Sequence, residues 1–149
     1  MLPKNAKDLA IVRMVELVTI NELGPTLYPL SSEKMGWGIP EAQEIAKAKE
    51  KVDSVLTFFE GLLDDSLRDS SASRPFFGSN TLTYAECVAG TVVPLLSWVG
   101  VSVDGYPKIQ AWCDRLLTRP SWQKTQFTQA DLAAFFSRRQ KFLEQSQAS

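Results

Sequence analysis

The sequence predicts an all-α fold, a helical bundle of five to six helices packed around one buried central helix. Three observations carry that expectation. Apolar residues recur at helical spacing along several segments, and no stretch alternates apolar and polar residues as a half-buried strand would. From Tyr84 to Val99 the only charge is Glu86, and a helix apolar on all sides belongs inside a protein. At the head of that run, Thr83-Tyr84-Ala85-Glu86 has the S/T-x-x-E form of a capping box.

Taken in order, Leu2-Pro3-Lys4-Asn5 reads as the end of a linker, so residues 1–5 are expected to be a linker remnant and 6–149 a single helical domain. Helical pattern begins near Ala6 or Lys7. From Leu9 to Leu23 apolar residues occupy most of the circumference, and Arg13, Glu16 and Thr19 share one narrow polar stripe. A single core-facing side needs only about a 100° apolar arc. The excess implies a second contact surface on this helix, against a partner chain, a further domain or a ligand. Burial of both sides within one bundle is the less favoured alternative.

Gly24-Pro25 and Tyr28-Pro29 are expected to interrupt or kink the first helix, and Ser31 to Gly38 reads as a connecting loop. A second helix is expected from Pro40, since proline at the first helical position loses no needed hydrogen bond. Its apolar stripe is Ala42, Ile45, Val52, Leu56, Phe59 and Leu63. Lys47, Lys49 and Lys51 read as a solvated face. Asp64 to Ser73 is polar and serine-rich, and no structure is assigned to it.

In the central helix, the Thr83 hydroxyl should accept from the Glu86 N–H while the Glu86 carboxylate reaches back to the Thr83 N–H. Leu82 and Cys87 are spaced for a hydrophobic staple. Pro94 should bend this helix, because it removes a hydrogen bond and crowds the Gly90 carbonyl at a cost of about 3 kcal/mol. Gly100 to Gly105 ends it. Tyr106-Pro107 opens another helix with the stripe Ile109, Trp112, Cys113, Leu116 and Leu117, and Pro120 begins a short turn through Trp122. Thr128 and Asp131 repeat the capping logic, with Phe127 and Leu132 as the staple. The last helix carries Leu132, Phe135, Phe136, Phe142 and Leu143. Arg138, Arg139 and Lys141 are expected near its C-terminus, where cations favour the dipole, and Gln145 to Ser149 to fray.

Composition excludes several functions. The 149 residues are 44% hydrophobic and 22% charged, and sixteen basic against seventeen acidic residues leave a net charge of −1. No electrostatic footprint for nucleic acid or an anionic membrane exists. No apolar run approaches the ~20 residues of a membrane span, and the N-terminus lacks a signal-peptide layout. A cytoplasmic protein is expected. The absence of histidine removes Ser-His-Asp and Cys-His catalysis and His-ligated metals together. Cys87 and Cys113 form no CxxC pair, so no metal site and no redox motif are expected; both read as buried, reduced thiols. A less favoured reading makes Cys87 a thiol activated by the helix N-terminus beside it.

An ordered set of motifs remains: Phe77-Gly78, then Leu82-Thr83-x-Ala85-Glu86, then Tyr106-Pro107-x-Ile109-x-x-Trp112, then Arg119-Pro120-x-Trp122. Together they resemble the C-terminal helical domain of the glutathione transferase family. Glu86 stands where that family usually has aspartate, and a glutamate can make the same reciprocal bond. The resemblance implies that the catalytic half, a thioredoxin-like domain that binds glutathione, would lie before Leu2. It also implies a first helix lining the groove for the electrophilic co-substrate, with Leu9, Val12, Arg13 and Glu16 as candidates by position.

Two functions follow from the resemblance. In the first, the chain is the co-substrate side of a glutathione transferase, with glutathione as co-substrate of the whole enzyme and no cofactor or catalytic residue of its own. By itself it would conjugate nothing. Its first helix would meet a second copy in a homodimer, or the thioredoxin-like domain, and the groove could take a hydrophobic small molecule. In the second, it is a non-catalytic protein–protein docking module of the same fold.

Overall fold

A computed structural model of the chain describes residues 1–64, 75–126 and 128–147, apart from the side chains of Leu143, Ser146 and Gln147. The chain divides into two compact units, Met1–Leu116 and Leu117–Ser149. The fold is all-α, as the sequence predicts. Among the described residues no strand is present, only an isolated bridge between Phe76 and Ser79.

In the first unit, α1 spans Ala6–Val18, and the side chain of its N-cap, Asn5, accepts from the Asp8 N–H at 2.8 Å. The helical path does not stop at Gly24-Pro25. Pro25 has no N–H to offer the Asn21 carbonyl, and the backbone adjusts around that gap. A π-helical turn over Thr19–Leu23, closed by the Gly24 N–H on the Thr19 carbonyl, is followed by a 3-10 turn over Gly24–Thr26. Helix α2, Leu27–Met35, follows at once.

The expected loop over Ser31 to Gly38 is therefore wrong in its first half. Pro29 lies in the first turn of α2, where no N–H donor is needed. The Ser31 and Ser32 hydroxyls bond back to the Leu27 and Tyr28 carbonyls, both at 2.6 Å, so two buried serines are satisfied inside the helix. α2 ends at Gly36, whose φ of 64° is left-handed, with the Trp37 N–H on the Ser32 carbonyl at 2.9 Å. That is the Schellman pattern, for which glycine is the favoured residue.

Helix α3, Ala42–Leu62, starts two residues after Pro40 rather than at it. Glu41 is the N-cap, and the Glu44 carboxylate accepts from its N–H at 3.2 Å. Val52, Leu56, Phe59 and Leu63 are buried as expected, joined by Ala48 and Val55. Ala42 is exposed and Ile45 half-buried, so the stripe begins later than its spacing suggests. Of the segment from Asp64 to Ser73, everything after Asp64 lies outside the described residues.

The largest correction concerns the central helix. α4 covers only Tyr84–Ala89, and residues 90–100 run on as turns around a 3-10 segment at Val93–Leu95. Without a donor at Pro94, the backbone switches to three-residue hydrogen bonds, among them Val92 to Ala89, Leu95 to Val92 and Val99 to Leu96. Nor is the segment hidden on all sides. Ala85, Glu86, Ala89, Val93, Leu96 and Val99 are buried, but Tyr84 is 44% and Leu95 41% exposed. Apolar composition here marks one packed face, not a rod sealed from water.

Helix α5, Pro107–Leu117, receives its cap from α3: the Glu60 carboxylate accepts from the Lys108 and Ile109 N–H groups at 3.0 and 2.9 Å. Trp112 completes an edge-to-face series with Phe77 and Phe59, with centroids 5.2 and 5.4 Å apart. In the second unit, α6 runs over Pro120–Thr125 and α7 over Gln129–Gln147. Because α7 continues to Gln147, Arg138, Arg139 and Lys141 are interior positions, not C-terminal ones. Arg138 instead donates to the Ala134 carbonyl at 3.2 Å. Phe127, expected to staple this helix, lies outside the described residues.

Candidate functional site

A buried carboxylate organises the first unit. Glu86 is 0% exposed, and its two oxygens gather donors from three segments. Oε2 accepts from the Thr83 N–H and the Thr83 hydroxyl, both at 2.7 Å. Oε1 accepts from the Phe77 N–H at 2.8 Å and from the Trp112 indole at 3.4 Å. The Thr83 oxygen in turn accepts from the Ala85 N–H at 3.1 Å and from the Glu86 N–H, and the Tyr84 N–H goes to the Met1 carbonyl at 3.1 Å. A buried charge is tolerable only when its lone pairs are taken up by donors. Here they are.

Gly78 makes this possible. Its φ is 65°, and a Cβ there would sit 2.9 Å from the backbone oxygen of Asp8 in α1. Only glycine lets the Phe76–Ser79 turn lie this close to α1 and aim the Phe77 N–H at Glu86.

The four groove candidates stand along one side of α1, at i, i+3, i+4 and i+7, but differ in exposure. Val12 is fully buried, beside the buried Ile11 and Val15. Leu9 is half-buried, while Arg13 on the outer side pairs with Glu16 at 2.7 Å. What the outer side does present is apolar: Met14, Leu17 and Ile20 are 39%, 57% and 55% exposed. At positions i, i+3 and i+6 they form one strip, which the sequence reading did not single out. Its signal was the excess of apolar residues around the helix. Chemically the strip offers apolar contact and one ion pair, with no nucleophile.

Neither cysteine is suited to nucleophilic work. Cys113 is buried, and burial followed by Asp114 pushes its thiol up to about 12. Cys87 is half-buried rather than buried as expected. Burial and then the neighbouring Glu86 carboxylate raise its thiol, the Met1 ammonium lowering it only in part, so the activation expected from a helix N-terminus is opposed.

The sequence profile described as "Glutathione S-transferase, C-terminal domain" matches residues 18–120, which include Thr83, Glu86, Gly78 and Trp112. The chain belongs to the glutathione S-transferase C-terminal domain family. It is 25% identical to a glutathione S-transferase of Hyoscyamus muticus, over 83% of this chain and 58% of that one. It is 29% identical to the probable glutathione S-transferase GSTF1 of Oryza sativa subsp. japonica, over 68% of this chain and 44% of that one. A solved glutathione S-transferase from Rhodospirillum rubrum F11 superposes with a TM-score of 0.67 at 20% identity, covering 86% of this chain and 58% of that one. Glutathione S-transferase-I, solved with lactoylglutathione, gives 0.62 at 25% identity, covering 80% and 56%. The chain thus spans about half the length of the curated relatives it matches. Leu9, Val12, Arg13 and Glu16 precede the segment that the family profile matches.

Proposed function

We propose that this chain is the helical, co-substrate side of a cytoplasmic glutathione transferase, conjugating glutathione to electrophiles only together with a thioredoxin-like domain. Family membership and the exposed strip of Met14, Leu17 and Ile20 support this reading. The conjugation is attack of the glutathione thiolate on an electrophilic carbon. In this reading the helical half binds and orients the electrophile, and glutathione and its thiolate are held by the other domain.

A magnitude favours a tethered partner for the strip over a free one. Covering three half-exposed side chains contributes about 1 kcal/mol each, roughly 3 kcal/mol in all. A free partner needs about 4 kcal/mol net even for millimolar affinity, after the costs of association. A domain on the same chain works at an effective concentration of about a millimolar or more, so a weak strip suffices. A homodimer through α1 would need further contact area beyond these three side chains.

The test is turnover of glutathione with a chlorinated nitroaromatic electrophile. The 149-residue chain should show none above the buffer rate. A fusion carrying the thioredoxin-like domain of a plant relative ahead of Met1 should show it. Robust turnover by the chain itself would contradict the proposal. An inactive fusion that binds glutathione normally would favour the docking-module alternative.

A further inference from the structure

The geometry points to a second binding site, between α3 and the segment 100–106, for a small zwitterion with an apolar body, such as an apolar amino acid. A cavity of about 450 Å³ opens there. On the α3 side it is lined by Lys49, Glu50, Asp53 and Leu56, and across from them by Val101, Ser102 and Tyr106. Its volume falls in the usual range for small-molecule sites. It does not involve the α1 strip, and its fate is independent of the conjugation reading.

Both walls are braced. The Tyr106 hydroxyl donates to the Asp53 side chain and lies 3.2 Å from the Asp53 carbonyl oxygen. Opposite, the Ser102 hydroxyl accepts from the Asp104 N–H at 3.0 Å, and the Asp104 carboxylate accepts from the Gln110 side chain at 3.1 Å. A site that needs no ordering keeps its interaction energy for the ligand.

The bond to Tyr106 also decides the charge pattern. Lys49 and Asp53 stand four residues apart on one helix, the spacing at which such residues pair. Yet among the described residues no ion pair joins them, and Asp53 is engaged by Tyr106. Among the described residues, Lys49 therefore brings to the cavity an ammonium with no carboxylate upon it. Glu50 and Asp53 offer negative charge to a cation, and half-buried Val101 provides apolar surface over the buried Leu56. One ligand class answers all three: an ammonium and a carboxylate on a short apolar body.

Backbone amide NMR of the whole chain, titrated with leucine, tests this. Saturable shifts are expected at the amides of Val101, Ser102 and Tyr106. The deaminated acid and the decarboxylated amine of leucine, each lacking one charge-assisted bond, should bind about tenfold more weakly. Lys49→Met should weaken leucine about tenfold, leave the amine's affinity unchanged and leave the melting temperature in place. Absence of saturable shifts at those amides would overturn the proposal. So would single-charge analogues that bind as tightly as leucine, or wild-type leucine affinity in Lys49→Met.

Discussion

A threonine and an acid three residues on close the head of a helix at Thr83–Glu86 and again at Thr128–Asp131, and the two boxes have different surroundings. At Thr128 the arrangement is local: the Asp131 carboxylate accepts from the Thr128 N–H at 2.9 Å and its hydroxyl at 2.7 Å, with all groups exposed. At Thr83 the same reciprocal bonds are buried, and the carboxylate also holds the Phe77 N–H and the Trp112 indole. A capping motif fixes one turn of backbone. Whether it also fixes tertiary structure depends on what else its acid can reach and on whether water can replace it. The longer side chain of Glu86 lies at the centre of three segments, and Asp131 serves only its own helix.

If that difference is real, the two sites should separate widely on substitution. Glu86→Gln should have the largest effect. It keeps the shape but turns one acceptor into a donor facing buried N–H groups, which should cost about 3 kcal/mol or more in urea unfolding. Gly78→Ala should come next, at about 2 kcal/mol, because left-handed φ and the approach to Asp8 both exclude a Cβ. Thr83→Ala should cost about 1 kcal/mol by thermal melting, since it strips a first-turn N–H of its acceptor in a dry setting. An unchanged melting temperature there would mean the buried box contributes no more than the exposed one.

The exposed copy anchors the small end of the series. Thr128→Ala should cost only about 0.5 kcal/mol, seen as faster hydrogen exchange in the first turn of α7. Asp131 adds a pH signature. Hydrogen bonds from the Thr128 hydroxyl and N–H hold its carboxyl below the ordinary value of 3.8. A depressed carboxyl stabilises the folded form above that ordinary value and loses its contribution as pH falls through the lower, folded one. Protection of the first turn of α7 should therefore fade below the ordinary value, and Asp131→Asn should remove that dependence. A wild-type profile in Asp131→Asn would show that the carboxyl is not engaged.

Features confined to one turn were the most readable in the sequence. Thr83 and Glu86 could be paired in advance because spacing alone places them together, and the all-α class follows from periodicity. Helix length was less legible. Apolar composition from Tyr84 to Val99 suggested one continuous helix, but Pro94 tips the backbone into shorter hydrogen bonds after Ala89, which composition does not report. Pro29 misled in the opposite direction, since a proline in a first turn supports a helix. Contacts across long separations gave no signal at all. Nothing local indicates that Glu60 caps α5, that Tyr106 holds Asp53, or that Val12 turns inward while Leu17 turns out.

The central claim is that Glu86 binds two distant donors inside the buried core. Hydrogen exchange of the Phe77 amide and the Trp112 indole N–H, followed by NMR, addresses it most directly. Both protons should exchange only as fast as the first unit unfolds globally, with the first-turn amide of Asp131 exchanging far sooner. Exchange of either proton at the rate of an exposed group would contradict the claim.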